Sequence, residues 1–119
     1  MVHAIFFMLI IKNNLIPFGT YTAINVCGVL FVKKGTEVTP RLLQHEKIHT
    51  KQMLEMMIVG FYLVYVIEFI YRYIKQKPNG RSRWRQACRA ISFEREAYFN
   101  ESRPNYFALR EPYQWVIYW

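Results

Sequence analysis

Residues 45–49 read His45-Glu46-Lys47-Ile48-His49. On a helix, two imidazoles four residues apart share one face, with Cβ atoms about 5–6 Å apart. That spacing lets both bind one tetrahedral zinc ion. Glu46 sits roughly 100° round the helix from His45. From there its carboxylate can reach a water on the metal without itself becoming a ligand. This is the geometry of a general base in metal-assisted hydrolysis. The pattern predicts a zinc site with His45 and His49 as ligands and Glu46 as the catalytic base.

Such a site needs a third protein ligand. No His follows His49, and position 52 is Gln. The longer three-histidine pattern is therefore excluded, and the ligand is expected to be a carboxylate. The downstream candidates are Glu55, Glu68, Glu94, Glu96, Glu101 and Glu111. Glu55 shares the helix of the two His and cannot fold back onto their metal. In helical projection, Ala87, Ala90, Ile91, Glu94, Ala97, Tyr98 and Glu101 form one stripe, small and apolar around its two Glu. A carboxylate buried there needs a partner, and zinc would serve. Glu94 is the expected third ligand, with Glu101 the runner-up or a supporting group. Glu96 shares a stripe with Arg89, Phe93 and Arg103, and reads as a paired surface acid.

Other residues take supporting parts. Gln52 lies one turn beyond His49 and can hydrogen-bond a ligand or line the cleft. Tyr98 and Tyr106 carry hydroxyls able to donate to charge developing on a carbonyl oxygen. Glu68, in an apolar helix, is expected to pair with an Arg of the third helix. Cys27 and Cys88 read as small buried hydrophobes, and His3 as a strand-edge residue. Phe61, Tyr62, Tyr65 and Phe69 read as helix-packing residues.

Composition narrows the alternatives. The chain has 119 residues, enough for one domain, and 53% of them are apolar, enough for a core. All eight acids are Glu. Without Asp, a Ser-His-Asp triad, an EF-hand loop and an aspartic dyad each lose their usual residue. Two Cys are too few for a disulfide scaffold. Between Arg72 and Arg110 ten basic residues face three acids, so this stretch could contact an anionic membrane surface. No recognition helix, finger or RNA-binding motif accompanies it, so nucleic acid is not an expected partner. The first residues lack the charged region and cleavage site of a signal peptide. The uncharged stretch Met56–Ile67 is too short to span a bilayer, which needs about 20 residues. The expected location is cytoplasmic or membrane-associated.

Those side chains need a scaffold. Ala4–Lys12, Thr20–Asn25 and Val29–Lys34 read as strands, with a hairpin-like break at Val26-Cys27-Gly28. Thr39 and Pro40 are suited to the N-cap and first position of a helix running through Met57. Gly60 marks a kink or a break before a second helix, Phe61–Lys75, and Pro78-Asn79-Gly80 stops it. A third helix is expected from Trp84 to Ser102. The expected fold is α+β: a small antiparallel sheet within 1–35, packed on the motif helix and its continuation over 39–76. A third-ligand helix over 84–102 and an aromatic tail over 105–119 complete a single domain. The zinc should lie between the motif helix and the helix carrying Glu94. The tail either joins the core or covers the site as a lid.

The motif His45-Glu46-Lys47-Ile48-His49, with Glu94-Arg95-Glu96-Ala97-Tyr98 further on, resembles the gluzincin metallopeptidases. More narrowly, it looks like the HtpX-like and CAAX-prenyl-protease type, whose third ligand opens an ExxAD pattern. Glu94 and Ala97 match that pattern, and Tyr98 stands where the family has Asp. In size the chain resembles the minigluzincins, and it looks like small bacterial proteins with HExIHxxQ and a later FExEAY. The resemblance implies a zinc-dependent hydrolase of peptide or protein substrates. It also implies that Tyr98 replaces the acid that steadies a ligand His. The competing expectations are a latent zinc-binding protein whose tail fills the cleft, and a basic membrane-surface module.

Overall fold

A computed structural model describes residues 9–14, 22–76 and 82–119. His3, most of the first expected strand and the Pro78-Asn79-Gly80 stop lie outside the described residues. The elements run β1 (Leu9–Asn13), β2 (Ala23–Val26), β3 (Val29–Lys33), α1 (Pro40–Glu55), α2 (Val59–Lys75), α3 (Arg83–Ala90), α4 (Ser92–Asn100) and α5 (Tyr106–Leu109). A 3-10 helix over Gln114–Tyr118 follows. The class is α+β, a small sheet followed by helices.

The sheet is mixed, where an antiparallel one was expected. Strand order is β1-β3-β2, with β1 parallel and β2 antiparallel to β3. Burial explains the order. Leu30 and Val32 of β3 are fully buried, whereas Leu9 and Ile11 of β1 and Ile24 and Val26 of β2 stay exposed. The strand with the strongest apolar demand takes the centre, and β1 falls on its far side. Cys27 and Gly28, both at positive φ, make the tight turn that matches strand twist between β2 and β3. Cys27 is therefore exposed at a hairpin tip rather than buried.

Helix α1 starts as its sequence dictates. The Thr39 hydroxyl accepts from Leu42 N at 3.1 Å, and Pro40 follows the cap. The helix ends in a Schellman turn. Ile58 N donates to Met53 O and Met57 N to Leu54 O, and Met57 takes the left-handed conformation usually given to Gly. Ile58 packs with Met53 in the core, the apolar contact that accompanies this motif. The break thus falls at Met56–Ile58, and Gly60 lies inside α2. The two helices are bent by 110°. No single helix among the described residues is long and apolar enough to cross a membrane.

The expected third helix is two helices. Ile91 has an extended ψ of 138°, and α4 starts afresh at Ser92. Glu68 of α2 explains the break. Its carboxylate accepts from Ser92 N and from Ser92 Oγ, both at 2.6 Å, and so supplies the N-terminal cap that Ile91 cannot. Its ion-pair partner is Arg72, one turn along its own helix, not an Arg of the third helix. Met53, Phe61, Ile91 and Phe93 form the core where α1, α2 and α4 meet, and Trp115 of the tail packs against it.

Candidate metal centre

His45 and His49 project from α1 toward α4, which presents Glu94 from its first turn. His45 Nε2 and His49 Nε2 are 3.1 Å apart. Glu94 Oε1 lies 3.2 Å from the first and 2.9 Å from the second. Three atoms bonded to one tetrahedral ion at about 2.0–2.2 Å would be about 3.3 Å apart. The observed triangle is within a few tenths of an ångström of that. Two imidazole lone pairs at 3.1 Å repel unless a proton or a metal ion stands between them. This group could hold a metal ion.

The other atom of each ligand is tied down, which aims the triangle. His45 Nδ1 donates to Glu101 Oε2 at 2.8 Å. His49 Nδ1 donates to Gln52 Oε1 at 2.8 Å. Gln52 is oriented in turn, because its amide nitrogen donates to Phe93 O and to Glu96 Oε1. Both are acceptors, so the amide oxygen must face His49. Each imidazole thus keeps a proton on Nδ1, which leaves Nε2 as the atom turned toward the centre. Tyr65 donates its hydroxyl to Glu94 Oε2 at 2.9 Å, leaving Oε1 for the metal.

Charge follows geometry. Burial works against a charged His49, but the Glu94 carboxylate outweighs it and lifts His49 to about 9. The same contact holds Glu94 well below the usual carboxylate range, although burial pulls the other way. Burial pushes Glu46 up, while His49 and His45 pull it down. Glu46 is not one of the three grouped atoms, and Asn25 of β2 donates to its backbone carbonyl at 3.0 Å. A second bond from Asn25, to Thr50 Oγ1, fastens the sheet to the motif helix.

Most residues singled out from sequence meet here: His45, Glu46, His49, Gln52, Glu94 and Glu101. Tyr98 lies edge-on to His45, ring centres 4.5 Å apart, with the Arg89 guanidinium over its ring. Burial and Glu94 raise its hydroxyl, so it stays protonated. Tyr106 does not join the site. Its hydroxyl donates to Glu96 Oε2 at 2.7 Å, so it serves the tail and not a substrate oxygen. Glu96 is no surface acid. It is fully buried and bound by Arg110, which also bridges to Glu55. Helical projection assumed one buried face, but α4 is covered by α1 on one side and by the tail on another.

The sequence reads Tyr65 as a helix-packing ring, whereas its hydroxyl holds Glu94. Its position on the buried side of α2, near Phe61 and Glu68, is the only signal the sequence offers. The tail joins the core: Trp115 packs on Phe93, Tyr118 accepts from Asn100, and Tyr113 donates to Glu55 O. Comparison of the chain with known protein families, with curated proteins and with solved structures finds no match.

Proposed function

We propose that this chain is a zinc-dependent metallopeptidase of gluzincin type, with His45, His49 and Glu94 holding the ion. The observation that carries the reading is the triangle of two Nε2 atoms and one carboxylate oxygen, with Glu46 beside it and outside it. Two nitrogens and one oxygen suit zinc, and three protein ligands leave a position open. Zinc bound there would supply a Lewis acid for a peptide carbonyl and lower the pKa of a water. Glu46 then accepts a proton from the attacking water and passes it to the departing amine. Its burial favours this role, because a raised pKa makes the carboxylate a stronger base toward the water's proton and brings it nearer the operating pH. Glu101 and Gln52 keep the imidazoles aimed, and Tyr98, protonated beside His45, is the hydroxyl assigned to donate to a carbonyl oxygen.

An extended substrate needs a free strand edge. The central strand β3 is paired on both sides and offers none. The edge of β2, tied to the motif helix through Asn25, is the better platform. A second reading, a zinc-binding protein without turnover, draws on the near closure of His45, Glu46 and His49 to solvent. Peptide hydrolysis by the zinc-loaded chain decides between them. The peptidase reading expects measurable cleavage, lost by at least about a hundredfold in Glu46→Gln with zinc content unchanged. No cleavage across a broad peptide library, with zinc bound, would favour the second.

A further inference from the structure

Helix α2 uses only one side for the core. Phe61 and Glu68 are its fully buried residues, and Tyr65 reaches the metal centre from that side. The opposite side carries Val59, Leu63, Val66, Ile67, Ile70 and Ile74, each more than half exposed. At 100° per residue these six fall within an arc of about 100°. They form a continuous aliphatic stripe about 22 Å long, by a rise of 1.5 Å per residue. No described element covers it. Monomeric soluble proteins rarely leave so long a contiguous apolar face in water.

The surroundings of the stripe specify its occupant. Helices α2 and α3 together carry Arg72, Lys75, Arg83, Arg85 and Arg89 against a single carboxylate, Glu68. Glu68 is fully buried and committed to Ser92 and Arg72. Of the other seven acids, Glu46, Glu94, Glu96, Glu55 and Glu101 serve the candidate metal centre or the Arg110 bridge, and the exposed Glu37 and Glu111 lie outside α2 and α3. The surface around the stripe is therefore cationic. Its C-terminal end is also ringed by aromatics paired with those cations. Arg83 lies over Tyr73, Lys75 over Tyr71, and Arg72 over both Tyr71 and Trp119. Trp84 packs against Phe69 and remains exposed. Aliphatic stripe, aromatic rim and cations in that order match the layers of a bilayer interface from acyl chains to headgroups. The stripe is too short for a hydrocarbon core of about 30 Å, so the helix would lie in the surface and not cross it.

We propose that the outer face of α2 docks on an anionic lipid surface, with the aliphatic stripe in the acyl boundary and Lys75, Arg83 and Arg85 on the headgroups. A protein partner would be expected to bring acids to such a rim, and a second copy of this chain brings further cations. The proposal is independent of what the metal centre catalyses.

The test is co-sedimentation of the full chain with phosphatidylcholine vesicles, with and without phosphatidylglycerol. Binding is expected to the anionic vesicles, with a blue shift of tryptophan emission. It should weaken by on the order of tenfold or more on neutral vesicles or in about 0.5 M salt. Leu63→Glu with Ile67→Glu should abolish it while helicity and zinc content hold. If that pair misfolds, Lys75→Glu with Arg85→Glu tests the same surface, with a loss of on the order of tenfold or more on anionic vesicles. Equal binding to neutral and anionic vesicles, or none to either, would overturn the proposal. So would a dimer in solution that Leu63→Glu dissociates, since a second copy would then own the face.

Discussion

The Nδ1 of His49 and the Oε1 of Gln52 meet at 2.8 Å, one helical turn apart. The contact is short because Gln52 has no freedom: its amide nitrogen is held by Phe93 O and Glu96. A line of hydrogen bonds therefore runs from buried Arg110 through Glu96 and Gln52 to His49. The aromatic tail reaches the candidate metal ligands through this line and not by covering them.

Replacing Gln52 with Leu keeps the volume and removes the acceptor. His49 then loses the partner that fixes its tautomer and orientation. Metal affinity should fall 10- to 100-fold, the usual effect of such supporting bonds. Competition with a chromophoric chelator reads this directly. An unchanged affinity would mean that packing alone orients the ring.

Metal binding should depend steeply on pH. The metal-free protein holds a proton on His49 up to about 9, against 6.5 for the free side chain. A metal must displace that proton, so affinity should fall about tenfold per pH unit as pH drops below about 9. Titration calorimetry in buffers of different ionisation enthalpy should detect close to one proton released near neutral pH. The same shift stabilises the metal-free fold. Because the folded value is raised, that contribution is complete below about 6.5 and disappears as pH rises through about 9.

Much of the centre was legible because the motif is local. The i, i+4 His pair needs only a helix, and Thr39-Pro40 announces where that helix begins. Glu94 and Glu101 were legible because α4, though shorter than expected, keeps the i, i+7 relation between them. The break at Ile91–Ser92 was not, because the cap comes from Glu68, twenty-four residues earlier. Glu96 was misplaced for a similar reason: its partner Arg110 lies beyond the helix, and only the folded tail brings it inward. The parallel pairing of β1 depends on strand order, which a run of apolar residues does not encode.

Met57 occupies a left-handed position at the end of α1 while its side chain stays almost wholly in water, 85% exposed. A non-glycine residue there costs roughly 1–2 kcal/mol, partly offset by the unfolded-state entropy that Gly would add. Met57→Gly should stabilise the protein by about 1 kcal/mol and raise Tm by about 4 °C. Thermal unfolding followed by circular dichroism checks it, and metal affinity should not change.

Metal content tests the centre most directly. The purified chain, loaded with zinc and dialysed, should retain close to one zinc by atomic emission, and Glu46→Gln should retain the same. His45→Ala and Glu94→Ala should each retain almost none while keeping their helical spectrum. A Glu94→Ala protein that holds zinc as tightly as the parent would contradict the three-residue centre on which the account rests.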